Sequence, residues 1–276
     1  MMTRMFLVLT SMLLTFGGFA QTSTWNQHAN IPLERIHQVS MDNQGFIFVA
    51  NLEGNISQFD RDGNFQNIFS PSRQGRLSQL EASWTVNIFT FSTDLQEYRI
   101  LDRFLNPITE NKIQQDNIFL AKAATLGNNN IIWVFDESDF SLKQLDYRRN
   151  LVIQQQPLNL VLKNSDLEII EIKEYQNMVF LNIKNEGVYI FDNQANFIRS
   201  LPIVLDLKLS FWKNNLVFIS KGEIILMNFQ SGIQEKIPLP ANSNSKNILV
   251  NPNSVLLFDP GQISIYKKED TPLRNK

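Results

Sequence analysis

Short runs of apolar and alternating residues recur along the chain at nearly even spacing. Each run has strand length, is rich in β-branched and aromatic residues, and is bounded by Asn, Asp, Gly or Ser. Four such runs occupy residues 46–51, 86–92, 130–136 and 178–184. A similar run precedes each of them, at residues 37–42, 77–84, 119–126 and 167–175. The pattern predicts strand-rich units repeated along one chain.

A polar element follows these runs in each unit, with an Asp and then an Asn four residues later. The pairs are Asp60 with Asn64, Asp102 with Asn106, Asp146 with Asn150, and Asp192 with Asn196. The Asp positions are 42, 44 and 46 residues apart, and more polar strands follow at 65–70, 151–156 and 197–203. An Asp can accept hydrogen bonds from backbone N–H groups two residues on, and Asn tolerates the left-handed conformation of a short hairpin. The element therefore predicts a turn between the third and fourth strands of each unit.

A repeated ion site is the alternative interpretation of the Asp and Asn pairs. A calcium loop gathers several oxygen ligands within one segment. No single unit of the chain clusters three or more such donors. Turn formation is therefore the favoured interpretation.

Two further units follow, at 207–239 and 247–269, and the second of these contains only three strand-like runs. Residues 23–31 precede the first complete unit and have no partner of their own. We expect this N-terminal segment to supply the missing strand and close a ring.

Four-stranded units of about forty residues, repeated six times, resemble the blades of β-propellers, nearest to the NHL type. WD40 repeats match less well, because no Gly-His and Trp-Asp pair recurs. Residues 70–84 and 88–105 resemble a segment of uncharacterised exported bacterial propeller proteins. The resemblance implies an all-β, six-bladed β-propeller over residues 21–267 and an exported protein, and it implies no activity. The short tail at 268–276 mixes charges and contains Pro, so we expect its last residues to be frayed.

The first twenty residues have the features of a secretory signal peptide. Arg4 precedes Met5–Phe16, a run of twelve residues without charge, and small residues end the segment. Cleavage is expected between Ala20 and Gln21. The apolar run is shorter than the roughly 20 residues that cross a bilayer. We therefore expect an exported periplasmic or extracellular protein without a membrane span.

The composition of residues 21–276 argues against some classes of function and excludes some kinds of site. This part carries 24 basic and 27 acidic side chains, a net charge of −3, and the chain has no Cys. Nucleic-acid binding usually uses a basic patch, which this balance does not favour. Disulfides and thiolate metal sites are excluded. We expect a monomer that binds no nucleic acid and carries no cofactor.

No sequence motif of a known enzyme class is present. The chain has no G-x-S-x-G, H-E-x-x-H, phosphate-binding loop or dinucleotide fingerprint. Its two histidines, His28 and His37, are interpreted as structural. Calcium-dependent lactonases share the expected fold and use acidic side chains around the channel, where Glu81, Asp166 and Glu168 are candidates. The sequence pattern does not place these three residues around one point. No catalytic or metal-binding residue is therefore assigned.

One face of the expected ring carries the candidate binding residues. Loops that join second to third strands should share a face with the loops between blades. The acidic residues of the former are Glu53, Asp94, Asp136, Glu137, Asp139, Glu186 and Asp259. Arg73 and Arg76 stand in the inter-blade loop 70–76. Turn formation explains many of these acids, and a solvated loop would explain both arginines, but the same residues could bind a partner.

The sequence therefore predicts a non-enzymatic scaffold in the cell envelope. A protein or a glycan would bind its acidic and Arg-bearing face, an inference by analogy with the fold. A calcium-dependent, lactonase-like hydrolase with its site at the channel mouth is the alternative. Small-ligand binding in the channel is a third possibility, for which the sequence shows no specific residues.

Overall fold

A computed structural model describes residues 25–82, 87–162 and 167–276. The expected cleavage site at Ala20 and Gln21 lies outside these residues. Six four-stranded antiparallel sheets form a ring, so the protein is an all-β, six-bladed propeller, as the sequence predicts. In this part of the chain, no helix is long and apolar enough to cross a membrane.

The first three blades follow the repeat in chain order. Blade 1 contains β2 (Gln38–Met41), β3 (Ile47–Ala50), β4 (Ile56–Phe59) and β5 (Phe65–Phe69). Blade 2 contains β6 (Gln79–Glu81), β7 (Asn87–Ser92), β8 (Glu97–Asp102) and β9 (Pro107–Lys112). Blade 3 contains β10 (Ala121–Leu126), β11 (Ile131–Asp136), β12 (Ser141–Asp146) and β13 (Leu151–Pro157).

The remaining blades complete the ring. Blade 4 contains β14 (Ile169–Tyr175), β15 (Met178–Ile183), β16 (Gly187–Asp192) and β17 (Phe197–Leu201). Blade 5 contains β18 (Phe211–Trp212), β19 (Asn215–Ser220), β20 (Glu223–Asn228) and β21 (Gln234–Pro238). Blade 6 contains β22 (Asn247–Val250), β23 (Ser254–Asp259), β24 (Gln262–Lys267) and, as its outer strand, β1 (Gln27–Pro32).

The N-terminal strand closes the ring, as predicted. β1 pairs antiparallel with β24, so that Ile31 lies opposite Ile263 and Ala29 opposite Ile265. Both ends of the chain thus meet in one sheet, and the backbone hydrogen bonds between them hold blade 6 together.

The core lies between neighbouring blades. Apolar side chains on the two faces of each blade pack against the next blade, which explains the many Phe residues of the sequence. Between blades 4 and 5, the rings of Tyr175 and Phe211 stack at 4.4 Å, and Phe180 meets Phe211 edge to face at 4.7 Å. Such aromatic pairs add stability beyond the apolar area that they bury.

The first strand of blade 5 is shorter than the sequence predicts. The pattern indicates a strand from 207 to 213, but only Phe211–Trp212 pairs with β19. Side chains of blade 4 hold the preceding backbone instead. Asn182 Nδ2 donates to the carbonyl groups of Leu205 and Leu207, both at 3.0 Å. These bonds satisfy buried backbone groups without a strand partner.

Leu209 is held in the same way by two side chains of β14. Its N–H donates to Glu171 Oε2 at 2.5 Å, and its carbonyl accepts from Lys173 Nζ at 3.2 Å. The segment before β18 therefore follows the channel wall as irregular backbone. A hydrophobic pattern cannot distinguish this arrangement from a strand, because the satisfying groups come from another blade.

The C-terminal tail is packed, which corrects the expectation that it is frayed. Lys268–Asp270 form a single 3-10 turn after β24, and Leu273 is fully buried in the core between blades 5 and 6. Trp212 Nε1 donates to the carbonyl of Lys276 at 3.0 Å. The apolar Leu273 anchors the tail, so its last residues belong to the folded body.

The repeated Asp and Asn pairs are turns. Asp102 Oδ1 accepts from the N–H groups of Phe104 and Asn106 at 2.8 Å, and Oδ2 accepts from Asn106 Nδ2 at 2.9 Å. Asp60 and Asp192 make the same three kinds of bond. In these three hairpins the Asp carboxylate holds the turn, whereas Asp146 accepts from the N–H groups of Arg148 and Arg149.

The role expected of the Asn residues is only partly correct. Asn150 adopts the left-handed conformation, with φ of 53°. In the other three turns the residue with positive φ precedes the Asn; these are Gly63, Leu105 and Ala195. There the Asn acts through its side-chain amide, which donates to the Asp carboxylate.

Candidate binding face and channel

The two faces of the ring carry different kinds of loop. Because strands alternate in direction, loops that join second to third strands lie beside the loops between blades. The backbone bond from Gly75 N to Glu53 O, at 3.1 Å, joins one loop of each kind. We call this side the loop face. The opposite side, which carries the Asp turns and the connections between first and second strands, is called the turn face.

Large apolar side chains are exposed on the loop face. Their exposed fractions range from 42% to 91%, and they belong to loops of blades 1 to 5: Leu52, Phe119, Leu120, Leu160 and Val204. Single exposed apolar residues are ordinary on protein surfaces. Apolar patches are a feature of interaction surfaces. The other exposed large apolar residues lie on the outer strands or in the turns that precede them.

Asp136 orders the loop that carries Phe119 and Leu120. Its carboxylate accepts from the N–H groups of both residues, at 2.9 and 3.1 Å, and from Lys143 Nζ at 2.7 Å. Lys143 Nζ also donates to the carbonyl of Asn117 at 2.7 Å. The buried ion pair thus fixes both sides of the loop.

Asp136 is consequently not a surface residue, which corrects the sequence prediction. Its side chain is fully buried. Burial alone would raise its pKa, but the hydrogen bonds from Lys143, Ser138 and the Phe119 backbone lower the pKa to about 2. Asp136 can affect binding only through the loop that it holds.

Leu160 projects from a compact turn. Leu158 and Leu162 on either side are buried, and the N–H groups of Val161 and Leu162 both donate to the carbonyl of Leu158. Leu160 itself is 91% exposed. Two buried anchors therefore hold one apolar side chain in solvent.

We call the acidic residues of the loops between second and third strands the acidic rim. Most of them form ion pairs or hydrogen bonds with other groups of the chain. Glu53 is exposed, and Glu137 pairs with Lys122 at 3.3 Å. Glu186 accepts from the Tyr189 hydroxyl at 3.1 Å. The rim therefore carries paired charges and does not form a continuous acidic surface.

Two other acids of the rim are also bound within the chain. Asp139 accepts from Lys143 Nζ at 2.7 Å, and Asp259 accepts from the N–H groups of Gly261 and Gln262. Turn formation and ion pairing account for both residues.

Arg73 and Arg76 are exposed but both face acidic partners of blade 2. Arg73 Nη1 donates to Glu97 Oε1 at 2.7 Å, whereas Arg76 Nε lies 3.8 Å from Asp94 Oδ2. Glu97 also contacts the buried Arg99 at 3.2 Å. Arg73 therefore extends an internal ion-pair chain, and Arg76 has the looser contact of the two.

The channel contains two buried glutamates from different blades, Glu81 and Glu171. Gln79 Nε2 bridges them, at 2.5 Å from Glu81 Oε1 and 2.8 Å from Glu171 Oε1. The Thr125 hydroxyl donates to Glu81, and the remaining oxygen of Glu171 accepts from Leu209 N. Burial raises the pKa of Glu81 to about 7.

Two lysines, Lys173 and Lys208, lie near these glutamates in the channel. Lys208 Nζ crosses the channel to Ser78 O at 2.6 Å, Gln79 Oε1 at 3.0 Å and Ile170 O at 3.1 Å. Lys173 follows Glu171 by two residues on β14 and therefore points to the same side of the strand. A calcium ion prefers a shell of free oxygen ligands. Here the carboxylate oxygens face donors of the chain and two ammonium groups.

The acids proposed for a hydrolase do not converge. Glu168 is exposed and pairs with Lys184 at 2.8 Å, away from buried Glu81. Asp166 lies outside the described residues. Among those residues, no group of three or more His, Cys, Asp or Glu side chains is arranged to hold a metal ion.

Both histidines make single structural contacts. His28 Nε2 lies 2.7 Å from Asp62 Oδ1, and His37 Nε2 lies 2.9 Å from the carbonyl of Leu77. Burial lowers the pKa of His37, which keeps its ring neutral near pH 7.

The channel cluster around Glu171 was not predicted from the sequence. Its signal was a pair of polar residues two apart on a predicted inner strand, as in Gln79 with Glu81 and Glu171 with Lys173. Period-two spacing places such pairs on one side of a strand. Which strands face each other across the ring is decided only by closure.

The fold is shared with solved structures of low sequence identity. No family model and no curated protein matches the sequence. The WD40 domain of Neurospora crassa Pan2 aligns with a TM-score of 0.59 at 11% identity, covering 86% of this chain and 79% of that chain. BamB from Moraxella catarrhalis aligns with a TM-score of 0.51 at 10% identity, covering 83% and 84%.

A streptogramin B lyase structure aligns with a TM-score of 0.57 at 14% identity and covers 86% of this chain and 84% of that chain. At these identities the likeness establishes the propeller fold alone. Since the similar structures include a lyase, the fold by itself does not select between a binding protein and an enzyme.

Proposed function

We propose that the protein is a non-catalytic, exported propeller that binds another protein of the cell envelope through its loop face. The observation that carries the proposal is the set of exposed apolar side chains held there on ordered loops. Export rests on the signal-peptide pattern of the first twenty residues.

Preorganisation supports binding by this face. The buried pair of Asp136 and Lys143 holds Phe119, and buried neighbours hold Leu160. Loops that are already ordered lose little conformational entropy when a partner binds. The face carries both exposed apolar side chains and charged pairs, a mixture that protein interfaces also show.

A protein partner fits this face better than a glycan. Leu and Val side chains cannot hydrogen-bond sugar hydroxyl groups, and burying those groups without partners costs free energy. We therefore assign the partner an apolar patch with polar groups at its edge. Arg73 and Glu53 lie at the border of the contact, where Arg76, Asp94, Glu137 and Glu186 also contribute.

The test is in-cell cross-linking and capture with tagged protein in its native host. The double variant Phe119→Glu, Leu160→Glu places charges on the loop face. Phe104→Glu is the matched control, because Phe104 is 62% exposed against 61% for Phe119 but lies on the turn face. We expect one envelope protein to be captured in stoichiometric amount by the wild type and the control, and lost in the double variant.

Two outcomes contradict the proposal. One is that no protein is captured in stoichiometric amount by the wild type. The other is that capture survives in the double variant, or is lost equally in Phe104→Glu. Thermal unfolding of all three proteins checks that the charges leave the fold intact.

A further inference from the structure

A large cavity lies on one side of the channel. Its volume is about 520 Å³, and it is lined by blades 1, 4, 5 and 6 together with Leu80 of blade 2. Cavities of about 300–1,000 Å³ are typical of small-molecule sites. The size therefore suits a ligand of moderate size.

The cavity lies off the centre of the ring because the inner strands approach each other more closely on one side. β10 of blade 3 carries the small residues Ala121, Ala123, Ala124 and Thr125, which let blades 2 and 4 approach each other. The contacts of Gln79 with Glu171 and of Thr125 with Glu81 close that side. Open space remains on the other side, beside the irregular segment before β18.

The walls of the cavity are largely apolar. Val39, Leu207 and Leu249 come from three different blades and are each partly exposed. Apolar walls favour an apolar ligand body, since its transfer from water is favourable.

Lysines outnumber acids among the charged side chains that line the cavity: Lys173, Lys208, Lys213 and Lys246 against Glu171, Asp206 and Asp259. Glu171 is buried, and both of its oxygens accept hydrogen bonds from the chain. Lys173 Nζ makes one hydrogen bond, to the Leu209 carbonyl, within the described residues. An ammonium group has three N–H donors, so two are open to a ligand as far as the described residues are concerned, while its charge also acts on buried Glu81.

Lys208 adds positive charge without a free donor. All three of its N–H groups bond to neutral oxygens of blades 2 and 4. Its side chain lies deep within the ring yet keeps an exposed surface toward the cavity. The charge therefore attracts an anion, while Lys173 supplies the hydrogen bonds.

We propose that this cavity binds a small, largely apolar molecule that carries one anionic group, with the anion at Lys173. Charge-assisted hydrogen bonds to the ammonium group orient the ligand, and the apolar walls bury its body. This site is separate from the loop face and does not depend on the proposed partner.

The test measures binding of three matched probes by ligand-observed NMR titration. Octanoate has the anion and the chain, octanol has only the chain, and acetate has only the anion. We expect saturable octanoate binding at one site, with octanol at least about tenfold weaker and acetate not detected. Lys173→Met should weaken octanoate about tenfold and leave octanol unchanged, because it removes the charge but keeps the apolar stem.

Two controls keep the outcome decisive. Leu249→Trp fills the cavity and should abolish octanoate binding, whereas Lys112→Met on the outer strand β9 should not change it. Thermal unfolding identifies any variant that has lost its fold. The proposal is overturned if wild-type protein does not bind octanoate saturably, or if either folded variant, Lys173→Met or Leu249→Trp, binds it as well as wild type does.

Discussion

Asp102 on the turn face and Asp136 on the loop face both hold backbone N–H groups, but in different environments. Asp102 is partly exposed and closes its own hairpin through residues two and four positions on. Asp136 is fully buried and fixes Phe119 and Leu120, which precede it by 17 and 16 residues. Both positions lie beside exposed apolar side chains, but the first interaction is local and repeated, whereas the second depends on the folded blade.

This difference between local and long-range hydrogen bonding shows how the two faces of one propeller can be stabilised in separate ways. Local turns such as that at Asp102 form hairpins through hydrogen bonds between residues close in sequence, so they depend little on the rest of the fold. The loops of the opposite face need buried partners such as Lys143, and they can present side chains that a local turn would not fix. Substitutions at Lys143, Asp102 and Arg76, together with their controls, test this comparison in order of decreasing effect.

The largest effect is expected for Lys143→Met. Removing the ammonium group leaves Asp136 charged, buried and without its ion-pair partner. Breaking a buried pair in this way costs about 3–5 kcal/mol. The free energy of unfolding, measured by urea denaturation, should fall by that amount, and the pKa of Asp136 should rise from its value of about 2.

Asp139→Ala is the control for this substitution. Asp139 pairs with the same lysine but is partly exposed, so its loss should cost under about 1 kcal/mol. A similar cost for both variants would show that the buried pair has no special importance for the loop face.

A smaller effect is expected for Asp102→Ala. The substitution removes the acceptor of two backbone N–H groups in an otherwise intact hairpin, and losses of this kind cost about 1 kcal/mol. Asp102→Asn should cost less, because Asn228 fills the same place in blade 5 and accepts from the N–H groups of Gln230 and Ser231. Urea denaturation at pH 7 measures both differences.

The pH dependence gives an independent check on this turn. Burial alone would raise the pKa of Asp102, but the hydrogen bonds from Asn106 and Phe104 outweigh it and lower the pKa below 3.8. The carboxylate therefore stabilises the fold above that pH, and its contribution is lost as the pH falls further. Asp102→Asn should reduce this acid loss; an unchanged acid profile would contradict the assignment.

The smallest effect is expected for Arg76→Ala. Its guanidinium lies 3.8 Å from Asp94, and both side chains are more than half exposed. Exposed pairs of this kind contribute about 0–1 kcal/mol. The free energy of unfolding should change by less than about 0.5 kcal/mol, and a loss above 1 kcal/mol would show that the rim stabilises the fold.

The repeat, the strand-rich units, the Asp turns and the closing N-terminal strand could all be predicted from the sequence. Each of these depends on local periodicity or on residues a few positions apart, such as Asp102 and Asn106. The unpaired segment at 23–31 also had only one open place in a ring of four-stranded units. Local patterns of this kind can be recognised before any tertiary contact is known.

Which polar residues lie at the surface could not be predicted, because it depends on contacts between distant parts of the chain. Asp136 looked like the other acids of its loops, but Lys143 and the 117–120 loop bury it. The segment before β18 looked like a strand, but Glu171 and Lys173 of blade 4 hold it as irregular backbone. Such groups are far apart in sequence and meet only when the ring closes, so the channel, its cavity and its accessible lysine follow from closure.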